Sequence, residues 1–222
     1  MSRPVFLLKT AADGDAQQIH ALMRYVYEEL EDKSLYVCDD LEFVRTHIAQ
    51  RGFAVMACTK EGELAAALIC RYPMAEKDNL GRELGLSEAE LLRIAHMESA
   101  VVAPAYRGNG LQCQMIRYAE KIMDAGRFLY FLATVSPDNP ASCRSLEKCG
   151  YTPVKAAEKY GGLVRRVYCK KAGAVNSANE DPAPMDAGSC FSVSGQELLL
   201  SAAPKQQTGQ IVDIGAGGAG EN

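Results

Sequence analysis

The 222-residue sequence predicts an α/β fold: a mixed, mostly antiparallel central sheet with helices on both faces, followed by a disordered C-terminal tail. Three observations carry that expectation. Residues 1–170 run through strand-like and helix-like periodic segments in the order β-α-α-β-β-(α)-β-α-β-α-β-β, joined by short turns. A glycine-bearing turn, Arg107-Gly108-Asn109-Gly110, stands between an apolar strand and an amphipathic helix. From Lys171 onward the composition shifts to Gly, Ala, Ser, Pro, Asn and Gln, with too little apolar surface to offset chain entropy. The chain therefore divides into a domain over 1–170 and a low-complexity tail over 171–222.

Each element has its own signal. Val5 to Lys9 makes a short strand, and Asp13 or Asp15 can cap a helix whose Ile19, Leu22, Met23, Val26 and Leu30 recur at helical spacing. A second helix from about Asp40 to Gln50 aligns Leu41, Val44 and Ile48 on one stripe. Phe53 to Thr59 and Leu64 to Arg71 flank Lys60-Glu61-Gly62-Glu63 and predict a hairpin. Ser87 with Glu90 has the spacing of a capping box that opens a brief helix. The next strand, about Arg93 to Val102, leads through the glycine turn into a helix from about Asn109 to Ala125, with Leu111, Met115, Ala119 and Ile122 as its buried stripe. Phe128 to Val135 is a nearly unbroken apolar run, the pattern of a strand covered on both faces. After Ser136-Pro137-Asp138-Asn139 a helix runs to Lys148 or Cys149 and stops at Gly150; Tyr151 to Lys159 and Leu163 to Lys170 then form a closing hairpin through Gly161-Gly162.

Composition excludes several classes. A 48% apolar fraction suffices for one good-sized core. The longest apolar runs are strand-length, which argues against a membrane span, and the N-terminal apolar stretch is too short for a signal peptide, so the protein reads as cytoplasmic. The segment from Lys171 holds six acids and two bases, and so carries the whole formal charge of −4. The neutral domain shows no basic stripe with interleaved aromatics, so nucleic acid is not expected as a partner. Eight cysteines without a CxxC pair read as buried reduced thiols, with no metal site. Phe191-Ser-Val-Ser-Gly-Gln-Glu-Leu-Leu-Leu is either a short docking element or ordinary tail. A homodimer is left open.

The stretch Val102-Ala103-Pro104-Ala105-Tyr106-Arg107-Gly108-Asn109-Gly110-Leu111-Gln112 has the form of a pyrophosphate cradle. Two glycines let the backbone come close to a ligand, and the N–H groups and positive dipole end of the following helix favour an anion. A dinucleotide fold would place GxGxxG after the first strand with an acid about 20 positions later, and a nucleoside-triphosphate loop would read GxxxxGK[ST]. Neither is present: the cradle follows four strands and lacks a third glycine.

The order of elements, the text Val-x-Pro-x-Tyr-Arg-Gly-Asn-Gly, then Asn139 and Glu147-Lys148-Cys149-Gly150-Tyr151, resembles the GCN5-related N-acetyltransferase (GNAT) superfamily. The likeness covers about Val5 to Lys170. That family's cofactor motif, Gln or Arg-x-x-Gly-x-Gly or Ala, falls on Arg107 and Gly110, with Gln112 as a departure at the last position. The resemblance implies acetyl-CoA as co-substrate, a small-molecule or peptide amine as acceptor, and direct transfer without a covalent enzyme intermediate. It implies that Ala100, Val101 and Val102 line the thioester end, and that Arg107, Gly108, Asn109, Gly110, Leu111 and Gln112 hold the phosphates. It sets Asn139 against the pantetheine arm; a plain helix N-cap is the other reading of that residue. A non-catalytic CoA-binding regulatory or interaction module is the alternative function.

Acetyl transfer to an amine requires the nucleophile to lose an ammonium proton of pKa ~10. Strand alternation puts Ile94, His96, Glu98, Ala100 and Val102 on one face. Glu98 resembles in position the strand carboxylate used in the family as general base; a structural salt bridge is its other reading, and His96 reads as a supporting residue. The family's tyrosine acid on the last helix falls on Leu146, which leaves water, Ser145 or Tyr151 to protonate the thiolate. Around the first two helices, Glu28, Glu29, Glu31, Asp32, Asp39, Asp40 and Glu42 set seven acids against Lys33, a pattern that either attracts a cationic amine or simply solvates helix ends.

Overall fold

The computed structural model describes residues 4–123 and 126–173. The expected tail beyond residue 173, its segment at 191–200 and Cys190 lie outside the described residues. Seven strands form one sheet in the order β1-β2-β3-β4-β5-β7-β6. They are β1 (Leu7–Thr10), β2 (Gly52–Cys58), β3 (Leu64–Arg71), β4 (Ile94–Val102), β5 (Tyr130–Val135), β6 (Thr152–Lys159) and β7 (Leu163–Lys171). Every neighbouring pair is antiparallel except β4 and β5.

Helices α1 (Ala16–Glu28) and α2 (Leu41–Ala49) cover one face, where Ile19, Met23, Val26, Val44 and Ile48 pack with Met56, Ala67, Ile69 and Val101. Helix α4 (Leu111–Ile122) covers the other through Leu111, Met115, Ile116 and Ala119 against Val55, Leu68, Ala95, Met97 and Phe131. Helix α5 (Pro140–Lys148) lies beside α4, and the one-turn α3 (Glu88–Leu91) precedes β4. Because β2 and β3 are covered on both faces, nearly every side chain in them is buried. Each fully buried large side chain on these stripes contributes about 1.5–3 kcal/mol.

Most local signals produce the expected structure. Asp40 accepts the Phe43 N–H as N-cap of α2, and Ser87 and Glu90 form the reciprocal capping box of α3. Three details differ. The Asp15 carboxylate does not cap α1; it accepts the Ala12 N–H and a Gln18 side-chain contact, in a one-turn 3₁₀ segment ahead of the helix. Ile122 is 46% exposed, and Ile116 fills the core seat, because the stripe drifts around α4 toward its C-terminal end.

The third difference shapes the site. In the β3–β4 ladder Ile69 faces Ser99 while Cys70 faces Met97, so Glu98 has no partner across the strand. This single extra residue is a β-bulge, and it shifts every later side chain to the opposite face. Ala95 and Met97 before the bulge therefore share the α4 face with Ala100 and Val102 after it, while Val101 packs under α1. Uniform alternation from Ile94 to Val102 is thus overturned, although His96 and Glu98 still meet.

Candidate active site

The parallel β4–β5 pairing extends only from Ile94↔Tyr130 to His96↔Leu132. Beyond His96 the strands part: β5 continues its ladder with β7 through Val135, and β4 continues with β3 through Val102. The side of β4 that faces β5 is thereby left with unspent ladder groups, the kind of edge that an extended amide chain can pair with. A cleft of about 490 Å³ opens in this split, lined by Glu98 to Val102 from β4, Ala133 to Val135 from β5 and Ser136 just after it.

The glycine turn lies at one end of the cleft. Gly108 (φ +83°) and Gly110 (φ +71°) occupy the left-handed region that costs other residues about 1–2 kcal/mol. Gly110 is the N-cap of α4 and supplies no side-chain cap, whereas α2, α3 and α5 are each capped by a side chain. The first-turn N–H groups of α4 thus face the cleft mouth without a side-chain acceptor, which fits a bound diphosphate. Arg107, Gly108, Gly110, Leu111 and Gln112 line the cleft together with Ala100, Val101 and Val102. Asn109 is not among its lining residues; its side-chain amide donates to the Tyr106 carbonyl at 2.9 Å and braces the turn from behind. The Gln112 amide donates to Ser142 Oγ at 2.9 Å, so the departure from the expected small residue ties α4 to α5. Asn139 lines the cleft and is also the N-cap of α5, accepting the Ser142 N–H at 3.1 Å.

At the other end, Glu98 projects from the bulge with a side chain 13% exposed. His96 donates Nδ1–H to Glu98 Oε2 at 3.1 Å, and Arg71 Nη1 stands 3.7 Å from the same oxygen. Burial pushes the Glu98 carboxyl up, but the His96 hydrogen bond and the Arg71 guanidinium outweigh it and hold the group below the usual carboxylate range. Asp39, on the connection between α1 and α2, lines the same cleft; burial and the nearby Glu98 and Asp40 charges push its carboxyl up to about 6. Tyr36, its hydroxyl 2.6 Å from Ser99 Oγ, and Tyr160, its hydroxyl 3.0 Å from Thr134 Oγ1, complete this wall. Of the seven acids around the first two helices, Asp39 alone lines the cleft. Asp32 and Asp40 cap Ser34 and Phe43 N–H groups, and Glu28 pairs with Arg24.

A family model for the GNAT acetyltransferases matches residues 19–151, a span that runs from Ile19 within α1 through the glycine turn to Tyr151, just past α5. The chain belongs to the GNAT acetyltransferase family. Solved structures share the GNAT fold at low identity. An acetyltransferase of the GNAT family from Listeria monocytogenes is 22% identical, with a TM-score of 0.55 over 75% of this chain and 94% of its own. Arabidopsis thaliana NAA60 in complex with acetyl-CoA has a TM-score of 0.61 at 11% identity, over 77% and 100% of the two chains. The yncA protein of Salmonella typhimurium, a putative acetyltransferase with its cofactor acetyl-CoA, has a TM-score of 0.56 at 14% identity, over 78% and 98%. No curated protein matches the chain significantly in sequence.

Within this GNAT domain Leu146 is buried and lines the cleft, with Ser145 beside it. Tyr151 is not placed to serve as an acid: it is buried away from the cleft and donates its hydroxyl to Glu120 at 2.9 Å. The sequence reading missed Arg71, Ser99, Tyr36, Tyr160 and Arg165, which reach the site from separate strands and loops. Only the apolar text around Arg71 and Arg165, where a cation breaks a strand run, hints at two of them. Among the described residues no group of three or more His, Cys, Asp or Glu side chains is arranged to hold a metal ion, and no helix is long and apolar enough to cross a membrane.

Proposed function

We propose that the protein is an N-acetyltransferase that moves the acetyl group of acetyl-CoA to a primary amine by direct attack within a ternary complex. One observation carries the reading: the split between β4 and β5 connects an uncapped, glycine-started helix with a pocket holding two carboxylates, Glu98 and Asp39. A diphosphate fits the first end, an extended pantetheine arm fits the free edge of β4, and an ammonium fits the second. Arg107, Gly108, Gly110, Leu111 and Gln112 hold the phosphates, with Asn109 bracing their turn. Ala100, Val101 and Val102 flank the arm, and Asn139 approaches it from the start of α5. The CoA-binding NAA60 and yncA structures, which share the fold, support this assignment.

The acceptor ammonium is received by Glu98, which stays ionised across the neutral range. Its proton passes from Glu98 toward Asp39, whose higher affinity for protons matches it better to working pH. The neutral amine attacks the thioester carbonyl, the C–S bond breaks, and the second proton shed by the attacking nitrogen reaches the leaving thiolate through water or Ser145, giving the amide and the free thiol. A thiol of pKa ~8.5 is a tolerable leaving group without a dedicated acid. Leu146 favours a second reading, a CoA-binding regulator without turnover.

The two readings separate in one assay. Full-length protein with acetyl-CoA is given a panel of primary amines while free thiol is followed. Amine-dependent thiol release, greatly slowed in Glu98→Gln, supports the enzyme; acetyl-CoA binding without release from any amine supports the regulator.

A further inference from the structure

Three cationic side chains are buried among the described residues, and two of them are matched by carboxylates. Arg71 is surrounded by Asp78 at 2.8 Å, Glu76, and Glu98 at 3.7 Å. Lys170 is paired with Glu120 at 2.7 Å. Among the described residues Arg165, 4% exposed, has no carboxylate within ion-pair distance, and its Nη1 and Nη2 donate to the carbonyls of Val164, at 3.0 Å, and Ser34, at 2.6 Å. Asp32 feels its charge, but that carboxylate is spent on the Ser34 N–H and stands beyond ion-pair distance. A guanidinium removed from water without a counter-charge is an expensive feature to keep.

Arg165 is also the one buried cation of the three that lines the large cleft, among Leu35, Tyr36, Asp39 and Tyr160 at the acceptor end. Its guanidinium carbon stands 5.7 Å from the centre of the Tyr160 ring, and Tyr160 itself is held at φ +51° in the β6–β7 turn. The Ser34 and Val164 carbonyls thus fix the guanidinium between the α1–α2 connection and β7. Two carboxylates and one unmatched cation on the wall of a single pocket complement a zwitterion.

Building on the acetyltransferase reading, we infer that the acceptor is an aminocarboxylate whose carboxylate is received by Arg165 while its ammonium is received by Glu98 and Asp39. A guanidinium meets a carboxylate in a planar, two-bond fork, so binding and orientation of the amine come together. The carboxylate belongs either to a free amino acid or to an acidic residue near a peptide N-terminus; the pocket chemistry is the same for both.

The test compares matched acceptors in the thiol-release assay: free amino acids, the corresponding decarboxylated amines, and short peptides with acidic or amidated side chains. Wild-type protein is expected to prefer the carboxylate-bearing member of a pair by about 10- to 100-fold in kcat/KM, mostly through KM. Arg165→Gln is expected to erase that preference and Arg165→Lys to retain part of it, with acetyl-CoA affinity measured on each variant to verify folding. Whichever of the amino-acid and peptide series shows the preference identifies the source. Equal use of both members by wild type, or a preference that survives in Arg165→Gln, overturns the inference. If acetyl-CoA binds but no amine releases thiol, the acetyltransferase reading fails separately; calorimetric binding of the same acceptors to CoA-loaded protein then decides the Arg165 assignment, upheld by carboxylate-selective binding lost in Arg165→Gln and overturned by its absence.

Discussion

His96 and Glu98 form a directed pair in which only one tautomer fits. The Leu80 N–H donates to His96 Nε2 at 3.1 Å, so the ring proton resides on Nδ1 and points at Glu98 Oε2, also at 3.1 Å. The backbone amide thereby fixes which ring nitrogen faces Glu98 and orients the imidazole toward the carboxylate. We propose His96 as a positioning residue for Glu98, since its Nε2 already accepts the Leu80 N–H.

Replacing His96 with Ala removes a hydrogen bond that favours the ionised carboxylate, so the Glu98 carboxyl rises toward its ordinary range. Activity that needs ionised Glu98 is lost as pH falls through that value, so the acid limb of the kcat/KM profile moves to higher pH. An acid limb that stays in place in the variant contradicts the role given to His96.

Glu98→Gln keeps the shape of the side chain and loses its charge. The expected outcome is a fall in kcat of about 10²–10⁴, with acetyl-CoA affinity within twofold of wild type. A rate close to wild type eliminates Glu98 as the group receiving the amine proton.

Asp39 makes an opposite prediction for stability and for function. Its carboxyl is raised to about 6, so the folded protein prefers it protonated; the associated stability is full below pH 4 and is lost as pH rises through 6. Asp39→Asn is therefore expected to stabilise the fold above pH 6, by about 1–2 kcal/mol after allowance for solvent screening, with no gain below pH 4. Denaturant titrations at pH 4 and pH 8 measure this directly, and the same variant slows turnover if the relay is correct.

Lys170, 5% exposed at its side chain, depends on Glu120, which also accepts the Tyr151 hydroxyl. Glu120→Ala strands a buried ammonium and is expected to cost about 3–5 kcal/mol, whereas replacing both partners with apolar residues of similar volume costs much less. Comparable losses from the single and double variants count against the pair as the cause.

The parts of the molecule written in local chemistry were legible in the sequence. The Leu64–Arg71 strand, the Ser87–Glu90 box, the Asp40 cap and the Gly108–Gly110 turn follow from spacing and from conformations only certain residues adopt. The bulge at Glu98 was not legible, because an extra residue in one strand is defined only by its register with another. The proposed acceptor pocket was hidden for the same reason: Tyr36, Asp39, Glu98, Tyr160 and Arg165 come from positions far apart in the chain, joined by tertiary packing. Asn139 shows how one residue carries a structural role that sequence alone left open, since its side chain is spent on the Ser142 N–H while it also faces the cleft.

Titration calorimetry of acetyl-CoA against the full chain and against Gly110→Val probes the cradle at the start of α4, on which every other role depends. Saturable binding at one site is expected, weakened at least tenfold in the variant because a β-branched residue cannot hold φ near +71° beside a diphosphate. No heat of binding from the wild-type chain, or equal affinity in the two proteins, contradicts it.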